Sequence, residues 1–267
     1  MDLVNAIILG IVEGLTEFLP VSSTGHMILV EHWLGLDGET PPWNILLWVS
    51  QFGAILAVVL YFWRDLWRRT FHPRYRFWPD HIGTKLVAAM IPTVVLALLF
   101  KPLLDPLETM PVAVAAALIV GAGAMEFIDR RFRRTARQEL ENVSLVQAFW
   151  IGVIQCISMW PGVSRSGASI MGGMALGLTP RVATEFSFYL AIPTMLAAAV
   201  KTLWKHRDEL TAANAGLVLV GTAVAFVVAL GVVATFMSYV RRYRFTPFVL
   251  YRVALGGAVL IHYFTAR

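Results

Sequence analysis

The sequence predicts an all-α polytopic membrane protein, an inverted-topology repeat with two re-entrant helix-loop-helix hairpins and about six transmembrane helices. Of its 267 residues, 58% are apolar and 15% are charged, and the mean hydropathy is +0.67. That leaves too few polar side chains to cover a soluble domain of this length. Apolar runs near bilayer-spanning length recur along the chain, and two Gly/Ser-rich interruptions of such runs are similar to each other.

No Ser/Gly linker or low-complexity stretch divides the chain, so a single membrane domain is predicted over residues 1–267. Repeat 1 would cover about residues 1–127 and repeat 2 about residues 143–267. The N-terminus is apolar but has no Lys or Arg before Arg64, so it lacks the basic region of a signal peptide. We therefore expect the first segment to belong to the mature fold.

Apolar runs of sufficient length predict the membrane-spanning helices. These runs are Trp43–Trp63, Leu86–Phe100, Val112–Phe127, Val182–Val200, Ala213–Met237 and Phe248–Tyr263. Tryptophans near their ends, such as Trp63 and Trp204, are typical of the interfacial aromatic belt.

Basic residues cluster between the runs, at Arg64–Lys85, Arg130–Arg137 and Arg241–Arg244. The positive-inside bias predicts that these clusters face the cytoplasm, and the even pair of helices between the first two clusters agrees. The Lys201–Glu209 loop disagrees, because it carries three basic residues but falls outside in this topology. Short clusters of this kind are membrane anchors, so the net charge of +5 does not indicate a nucleic-acid partner.

The first hairpin is predicted over Leu3–Leu36, because both of its ends must lie outside if Trp43–Trp63 begins there. Its centre, Leu19–Gly25, contains the proline and the glycine that break a helix into two halves. Non-helical backbone at membrane depth is tolerated only where it is buried in protein or lines a wet cavity.

A second copy of this construction follows, because Gly10–Gly25 aligns without a gap on Gly152–Gly167. The alignment pairs Gly10, Val21, Ser22 and Gly25 with Gly152, Val163, Ser164 and Gly167. The charge pattern predicts that the second copy enters from the cytoplasmic side, which makes the copies inverted. Broken helices of inverted repeats meet at a binding site near the midplane. Chance similarity of two apolar Gly/Ser stretches is the alternative.

Two carboxylates, Glu13 and Glu17, lie in an apolar run at i,i+4 spacing, so on a helix they share one face. Carboxylates at membrane depth are costly and usually functional. They are predicted to bind a divalent cation, or one of them acts as a general base. The alternative is that they pair with Arg165 only to hold the fold.

Three hydroxyl residues, Ser22, Ser23 and Thr24, follow Pro20 where the second half-helix is predicted to start. The free N–H groups and positive end of that helix favour a phosphate, and a hydroxyl there could attack phosphorus. Plain N-capping is the alternative. His26, within one turn of Ser23, could activate the serine, protonate the leaving phosphate or hold a phosphoryl oxygen.

The second break, Pro161–Gly167, contains Arg165. A guanidinium at membrane depth needs an anionic partner, and its fork of donors suits phosphate oxygens. Ser164 and Ser166 add hydroxyl groups, and the glycines let backbone approach a ligand. The alternative is that Arg165 only forms a salt bridge to Glu13 or Glu17. Softer candidates, in or beside the helices that follow the breaks, are Gln51 and Glu185.

The segment Glu13–His26, EGLTEFLPVSSTGH, resembles the first signature of the undecaprenyl-diphosphate phosphatases of the bacitracin-resistance family, and Pro161–Gly167, PGVSRSG, resembles the second. Gln51–Gly53 and Glu185–Phe188 also follow the family's pattern. The resemblance covers essentially the whole chain, with no departure at the motif positions.

The resemblance implies hydrolysis of undecaprenyl diphosphate to undecaprenyl phosphate and inorganic phosphate, which recycles the lipid carrier for cell-wall synthesis and confers bacitracin resistance. It implies a divalent cation, Mg²⁺ or Ca²⁺, as cofactor and a polyprenyl diphosphate lipid as substrate. It also implies a multi-pass protein of the bacterial inner membrane, often a homodimer, whose active site faces the periplasm.

By position, the resemblance implies that Ser23 is the nucleophile and that Arg165 binds the diphosphate. Glu13 and Glu17 would hold the metal or tune the nucleophile, and His26 would assist proton transfer. Substrate-binding positions would be Ser22, Thr24, Gly25, Gln51, Ser164, Ser166 and Gly167. Attack by a metal-activated water is the rival chemistry.

A transporter or flippase of a polyprenyl phosphate lipid is the alternative function, since inverted repeats with broken helices are common in transporters. A non-enzymatic scaffold of an envelope complex is a further alternative, in which loss of Ser23 or Arg165 would be harmless.

Overall fold

The computed structural model describes residues 2–38, 40–71, 81–104, 110–134 and 138–265, and these residues form helices and no strand. The helices, in chain order, are α1 Asp2–Thr16, α2 Ser23–Leu34, α3 Trp43–Tyr61, α4 Trp63–Phe71, α5 Ile82–Leu104, α6 Pro111–Phe132, α7 Leu145–Gln155, α8 Arg165–Ala175, α9 Pro180–Lys205, α10 Ala212–Tyr239 and α11 Thr246–Thr265. Parts of two predicted basic clusters, residues 72–80 and 135–137, lie outside the described residues.

Among the described residues, six helices are long and apolar enough to cross a membrane, namely α3, α5, α6, α9, α10 and α11. They correspond one to one to the six predicted apolar runs. Most of them extend beyond the predicted run, because helices continue through flanking polar residues that a hydropathy criterion leaves out. The prediction of an all-α protein with about six membrane-spanning helices is confirmed.

Both predicted interruptions separate a pair of short helices. In the first, α1 ends at Thr16 and α2 begins at Ser23; in the second, α7 is followed by a 3₁₀ turn at Cys156–Met159, and α8 begins at Arg165. That each helix pair enters and leaves the bilayer on one side, and that the two pairs are inverted, stays a prediction.

The two breaks share an uncommon backbone conformation at equivalent positions. Ser22 has φ of 73° and Ser164 has φ of 74°, in the left-handed region that side chains other than glycine rarely adopt. These serines are paired by the gapless alignment of the two segments. The two aligned segments therefore share a local backbone conformation, and the structural repeat itself stays a prediction.

The chain forms two compact units. Unit 1 comprises Met1–Leu19, Ser23–Trp63 and Ala191–Phe236, and unit 2 comprises Pro20–Ser22, Arg64–Leu190 and Met237–Arg267. Each unit draws segments from both predicted repeats. The prediction of a single domain over the whole chain stays a prediction.

In unit 1, glycines let α1 and α3 lie directly against the backbone of α10. A Cβ added at Gly10 would lie 2.3 Å from the carbonyl oxygen of Gly221, and one added at Gly53 would lie 2.2 Å from that of Thr222. Such close approach through small residues is a common way for membrane helices to pack.

In unit 2, a glycine lets α7 lie against α5 in the same manner. A Cβ added at Gly152 would lie 2.0 Å from the carbonyl oxygen of Ala89. Gly152 and Gly10 are equivalent in the repeat alignment, and each packs against a helix of the other repeat. The two aligned glycines therefore make the same kind of close contact with the backbone of another helix.

We expect Gly152→Ala to destabilise the fold by about 3 kcal/mol or more, because its methyl group must displace the α5 backbone rather than a flexible side chain. The measurement is the thermal unfolding midpoint of the purified protein in detergent. Gly123→Ala on α6 is the matched control, since a Cβ there meets nothing within 4 Å. An equal midpoint for the two variants would contradict the packing described.

Candidate active site

The first hairpin buries its two acidic side chains one helical turn apart. Glu13 is fully buried and Glu17 is 8% exposed. The backbone N–H of Glu17 donates to the carbonyl oxygen of Glu13 at 3.0 Å, so the helical spacing continues just past the end of α1. Both carboxylates therefore lie in low-dielectric surroundings within unit 1, where their charge is costly without a specific role.

Ser23, the first residue of α2, donates its hydroxyl hydrogen to Glu17 Oε2. Both side chains are buried. A carboxylate that accepts this hydrogen bond is placed to take the proton when the oxygen attacks an electrophile. The contact favours Ser23 as the nucleophile over Ser22, which precedes the helix, and over Thr24, which is half-buried.

His26 lies one turn after Ser23 on α2 and is buried. Residues three apart on a helix lie on the same side, so the imidazole and the hydroxyl share one face. The N-terminal turn of α2, which includes Gly25, carries N–H groups without partners inside the helix. This turn is therefore suited to an anion, as the sequence predicts.

The second break ends in a capped helix. Ser164 Oγ accepts the backbone N–H of Gly167 at 3.1 Å and lies 3.1 Å from Ser166 Oγ. N-capping, which the sequence analysis raised as an alternative for the serines of the first break, is thus the role observed for Ser164 in the second. One of the two hydroxyl hydrogens lies in the bond between the serines, so at most the other can be directed to an acceptor outside the pair.

Arg165 begins α8 and is half-buried. Its Nη1 donates to the carbonyl oxygen of Ser187 on α9 at 3.3 Å. Ser187 Oγ in turn lies 2.6 Å from Ser169 Oγ on α8. These contacts within unit 2 fix the start of α8 against α9 and hold the guanidinium at the helix N-terminus.

Arg252 on α11 is a fully buried cation that the sequence patterns above did not single out. Its side chain donates hydrogen bonds to backbone carbonyl oxygens. These include the carbonyl oxygens of Pro20 and Gly162 in the two breaks. The signal was available, because Arg252 interrupts the apolar run Phe248–Tyr263 just as Glu13 interrupts an earlier one.

The two softer candidates differ in their surroundings. Gln51 lies half-buried on α3, and its role stays a prediction. Glu185 accepts a hydrogen bond from Arg69 Nη1 at 2.9 Å, and both side chains are buried. Burial lowers the pKa of the Arg69 guanidinium, but nearby negative groups, Glu185 first and also Glu141, outweigh it and raise that pKa above its ordinary value. Glu185 thus has a structural partner in unit 2.

Within the described residues, no group of three or more His, Cys, Asp and Glu side chains is arranged to hold a metal ion. A pair of carboxylates remains compatible with Mg²⁺, which typically takes one or two carboxylates and completes its shell with water and substrate phosphates. Glu13 and Glu17 supply hard oxygen donors of this kind, so the residues present fit the implied cofactor.

The fold and the two breaks define a multi-span membrane protein that carries buried acids, hydroxyls and an arginine at paired interrupted helices. Residues 6–258 match the family described as "Bacitracin resistance protein BacA". The chain belongs to that family. It is 45% identical over 264 residues to a protein of Novosphingobium aromaticivorans named "Undecaprenyl-diphosphatase", with 97% of each chain covered. A protein of Nitrobacter hamburgensis with the same name is 41% identical over 260 residues, again with 97% of each chain covered.

Proposed function

We propose that this chain hydrolyses undecaprenyl diphosphate to undecaprenyl phosphate and inorganic phosphate. The product is the lipid carrier used in cell-wall synthesis, and its recycling lowers the pool of diphosphate that bacitracin sequesters. Membership of the bacitracin-resistance family and two relatives named as diphosphatases support this function. The structural observation that carries it is the hydrogen bond from the Ser23 hydroxyl to the buried Glu17 carboxylate.

In the reaction, Ser23 Oγ forms a bond to the terminal phosphorus while Glu17 accepts the hydroxyl proton. The bond between that phosphorus and the bridging oxygen breaks, and undecaprenyl phosphate leaves, with His26 as the group that assists proton transfer. Water then hydrolyses the phosphoserine, which releases inorganic phosphate and restores Ser23. In the rival mechanism water attacks the phosphorus directly, and no phosphoserine forms.

Arg165 would neutralise the diphosphate as negative charge moves onto the leaving oxygen. A planar guanidinium binds two phosphoryl oxygens at once, and donors preorganised in a dry site stabilise the transition state more than the ground state. Ser164, Ser166 and Gly167 would add donors at the start of α8, as Ser22 and Thr24 would at the start of α2. That both hairpins act on the same bound diphosphate stays a prediction.

The cofactor in this proposal is Mg²⁺ or Ca²⁺ held by Glu13 and Glu17, where it would neutralise phosphoryl charge. We expect a chelator to abolish phosphate release and either cation to restore it. Glu13→Gln should raise the cation concentration needed for half-maximal rate about tenfold or more, because the site loses one of two anionic ligands.

The exposed acid Asp208 offers the control, since Asp208→Asn should leave the metal dependence unchanged. Full activity of the wild type in chelator, with metal-free buffers, would contradict the cation requirement. A normal metal titration for Glu13→Gln would contradict the assignment of that ligand.

The test of the proposed function is release of inorganic phosphate from undecaprenyl diphosphate by the purified protein in detergent. We place the protein in the bacterial inner membrane with its active site towards the periplasm, and we infer a homodimer from the family resemblance. The names of the relatives do not favour the flippase alternative. Lipid movement in reconstituted vesicles without phosphate release would overturn the proposal.

A further inference from the structure

Arg252 is fully buried and donates five hydrogen bonds, all to backbone carbonyl oxygens of unit 2. Nε binds Leu118 O at 3.2 Å, Nη1 binds Pro20 O at 3.2 Å and Val163 O at 3.1 Å, and Nη2 binds Ala117 O at 3.2 Å and Gly162 O at 3.1 Å. Among the described residues, no carboxylate forms an ion pair with it. The hydrogen-bond partners of the guanidinium are therefore backbone atoms, and they belong to α6 and to the two breaks.

The carbonyl groups of Pro20 and Gly162 are equivalent in the repeat alignment, and the guanidinium binds one with each of its terminal nitrogens. Two of the five carbonyl partners of Arg252 thus occupy equivalent positions in the two aligned segments. The breaks also approach each other nearby, since a Cβ added at Gly167 would lie 3.5 Å from Pro20 Cβ. One side chain of α11 therefore joins the two breaks within unit 2.

These hydrogen bonds set the direction of the peptide groups in both breaks. In a trans peptide the N–H points away from the C=O, so the carbonyls of Pro20 and Val163 direct the following N–H groups, those of Val21 and Ser164, away from Arg252. Ser164, and Ser22 directly after Val21, have positive φ. Such backbone is energetically costly and persists only where its surroundings enforce it.

We propose that Arg252 is a positioning residue for the phosphatase reaction, which clamps the two breaks by their carbonyl oxygens so that their N–H groups and serines keep one arrangement for the diphosphate. The inference rests on the proposed function. Arg252 does not contact the substrate in this proposal, because its N–H donors are bonded to carbonyl oxygens of α6 and the two breaks. α6 makes room for it with a glycine, since a Cβ at Gly121 would lie 2.4 Å from Arg252 Nη2.

The experiment compares Arg252→Lys and Arg252→Met with Arg133→Met. Arg133 is the matched control because it too clamps a loop of unit 2 by carbonyls, with Nη2 bound to Tyr243 O at 2.6 Å and Val240 O at 3.3 Å. Two readouts are taken in detergent, kcat and KM for undecaprenyl diphosphate, and hydrogen–deuterium exchange of peptides that cover residues 20–22 and 162–164.

We expect Arg252→Met to lower kcat about 100-fold with KM changed less than about threefold, because misplaced donors weaken the transition state more than binding of the long lipid. The kcat of Arg252→Lys should lie between those of the wild type and Arg252→Met, since an ammonium keeps the charge but cannot bind five carbonyl oxygens. Amide exchange in both breaks should speed up in these variants. Arg133→Met should lose stability yet keep kcat and the exchange of the breaks.

The clamp is refuted if exchange in the breaks stays at the wild-type rate in both Arg252 variants. The positioning role is refuted if their kcat falls no further than that of Arg133→Met. If Arg252→Met does not fold, Arg252→Lys and Gly121→Ala, which crowds Nη2 without removing the charge, give the same two comparisons. A wild type that releases no phosphate would sink the proposed function and the positioning role with it, while exchange would still decide the clamp.

Discussion

Replacing Ser23 by alanine is expected to lower phosphate release from undecaprenyl diphosphate about a thousandfold or more, because the variant loses the attacking oxygen. The Glu17 carboxylate would keep its burial but lose the hydroxyl that it binds. The measurement is steady-state phosphate release by purified protein, at saturating substrate and with Mg²⁺ present. Folding is checked by the thermal unfolding midpoint, which we expect to change little.

Ser50 provides the control for this substitution. It is a fully buried serine of the same unit, and its hydroxyl donates to the carbonyl oxygen of Leu47 on its own helix at 3.3 Å. Ser50→Ala should therefore retain activity within about threefold of wild type, since a hydroxyl bonded back to its own helix contributes little to catalysis or to folding. A Ser23→Ala enzyme with near wild-type rate would remove the serine nucleophile and leave metal-activated water as the chemistry.

The second large effect is expected at Arg165, where alanine should lower kcat about a thousandfold, the scale of an arginine that stabilises phosphoryl transfer. Lysine should restore only a small part of the rate, because an ammonium cannot bind two phosphoryl oxygens in the planar, bidentate manner of a guanidinium. Both variants are assayed for phosphate release as above, with kcat and KM determined separately.

Arg181→Ala is the matched control for the loss of an arginine from unit 2. Its guanidinium is one-third exposed and pairs with Glu139 at 3.4 Å and Glu185 at 3.9 Å. The pair with Glu139 is solvent-exposed and contributes little to stability, and the buried Glu185 keeps its closer partner Arg69 at 2.9 Å. The rate should therefore remain within about threefold of wild type. Equal losses in Arg165→Ala and Arg181→Ala would indicate that both arginines serve the fold, which is the alternative the sequence left open.

The spanning helices could be predicted from the sequence because the property that defines them is local. A run such as Val112–Phe127 is apolar over the bilayer thickness whatever its neighbours are, and the helix observed there, Pro111–Phe132, contains it entirely. The breaks are local in the same sense, since proline, glycine and serine interrupt a helix by their own chemistry. The left-handed backbone at Ser22 and Ser164 has no such local signature, because serine rarely adopts it without help.

The candidate site could be predicted only as a set of residue types at membrane depth. The sequence placed Glu17 and Ser23 in one hairpin but left three hydroxyls open, and the hydrogen bond between the two side chains, six residues apart across a turn, favours Ser23. Glu185 stays a candidate, and the structure adds a partner that the sequence could not show, Arg69, which lies 116 residues earlier in the chain. Arg252 itself interrupts an apolar run and could have been noticed, but its carbonyl partners carry no sequence signal.

By itself the sequence determined that this is a helical membrane protein of the bacitracin-resistance family. The apolar runs that span the lipid and the two signatures are each formed by consecutive residues. Tertiary structure decided which segments share a unit. It also decided that Arg252 binds Pro20, although the two residues are 232 positions apart in the chain. The reason is that hydropathy and helix breaking act within one segment. Packing of glycine faces and satisfaction of buried donors depend on atoms that only the folded chain brings together.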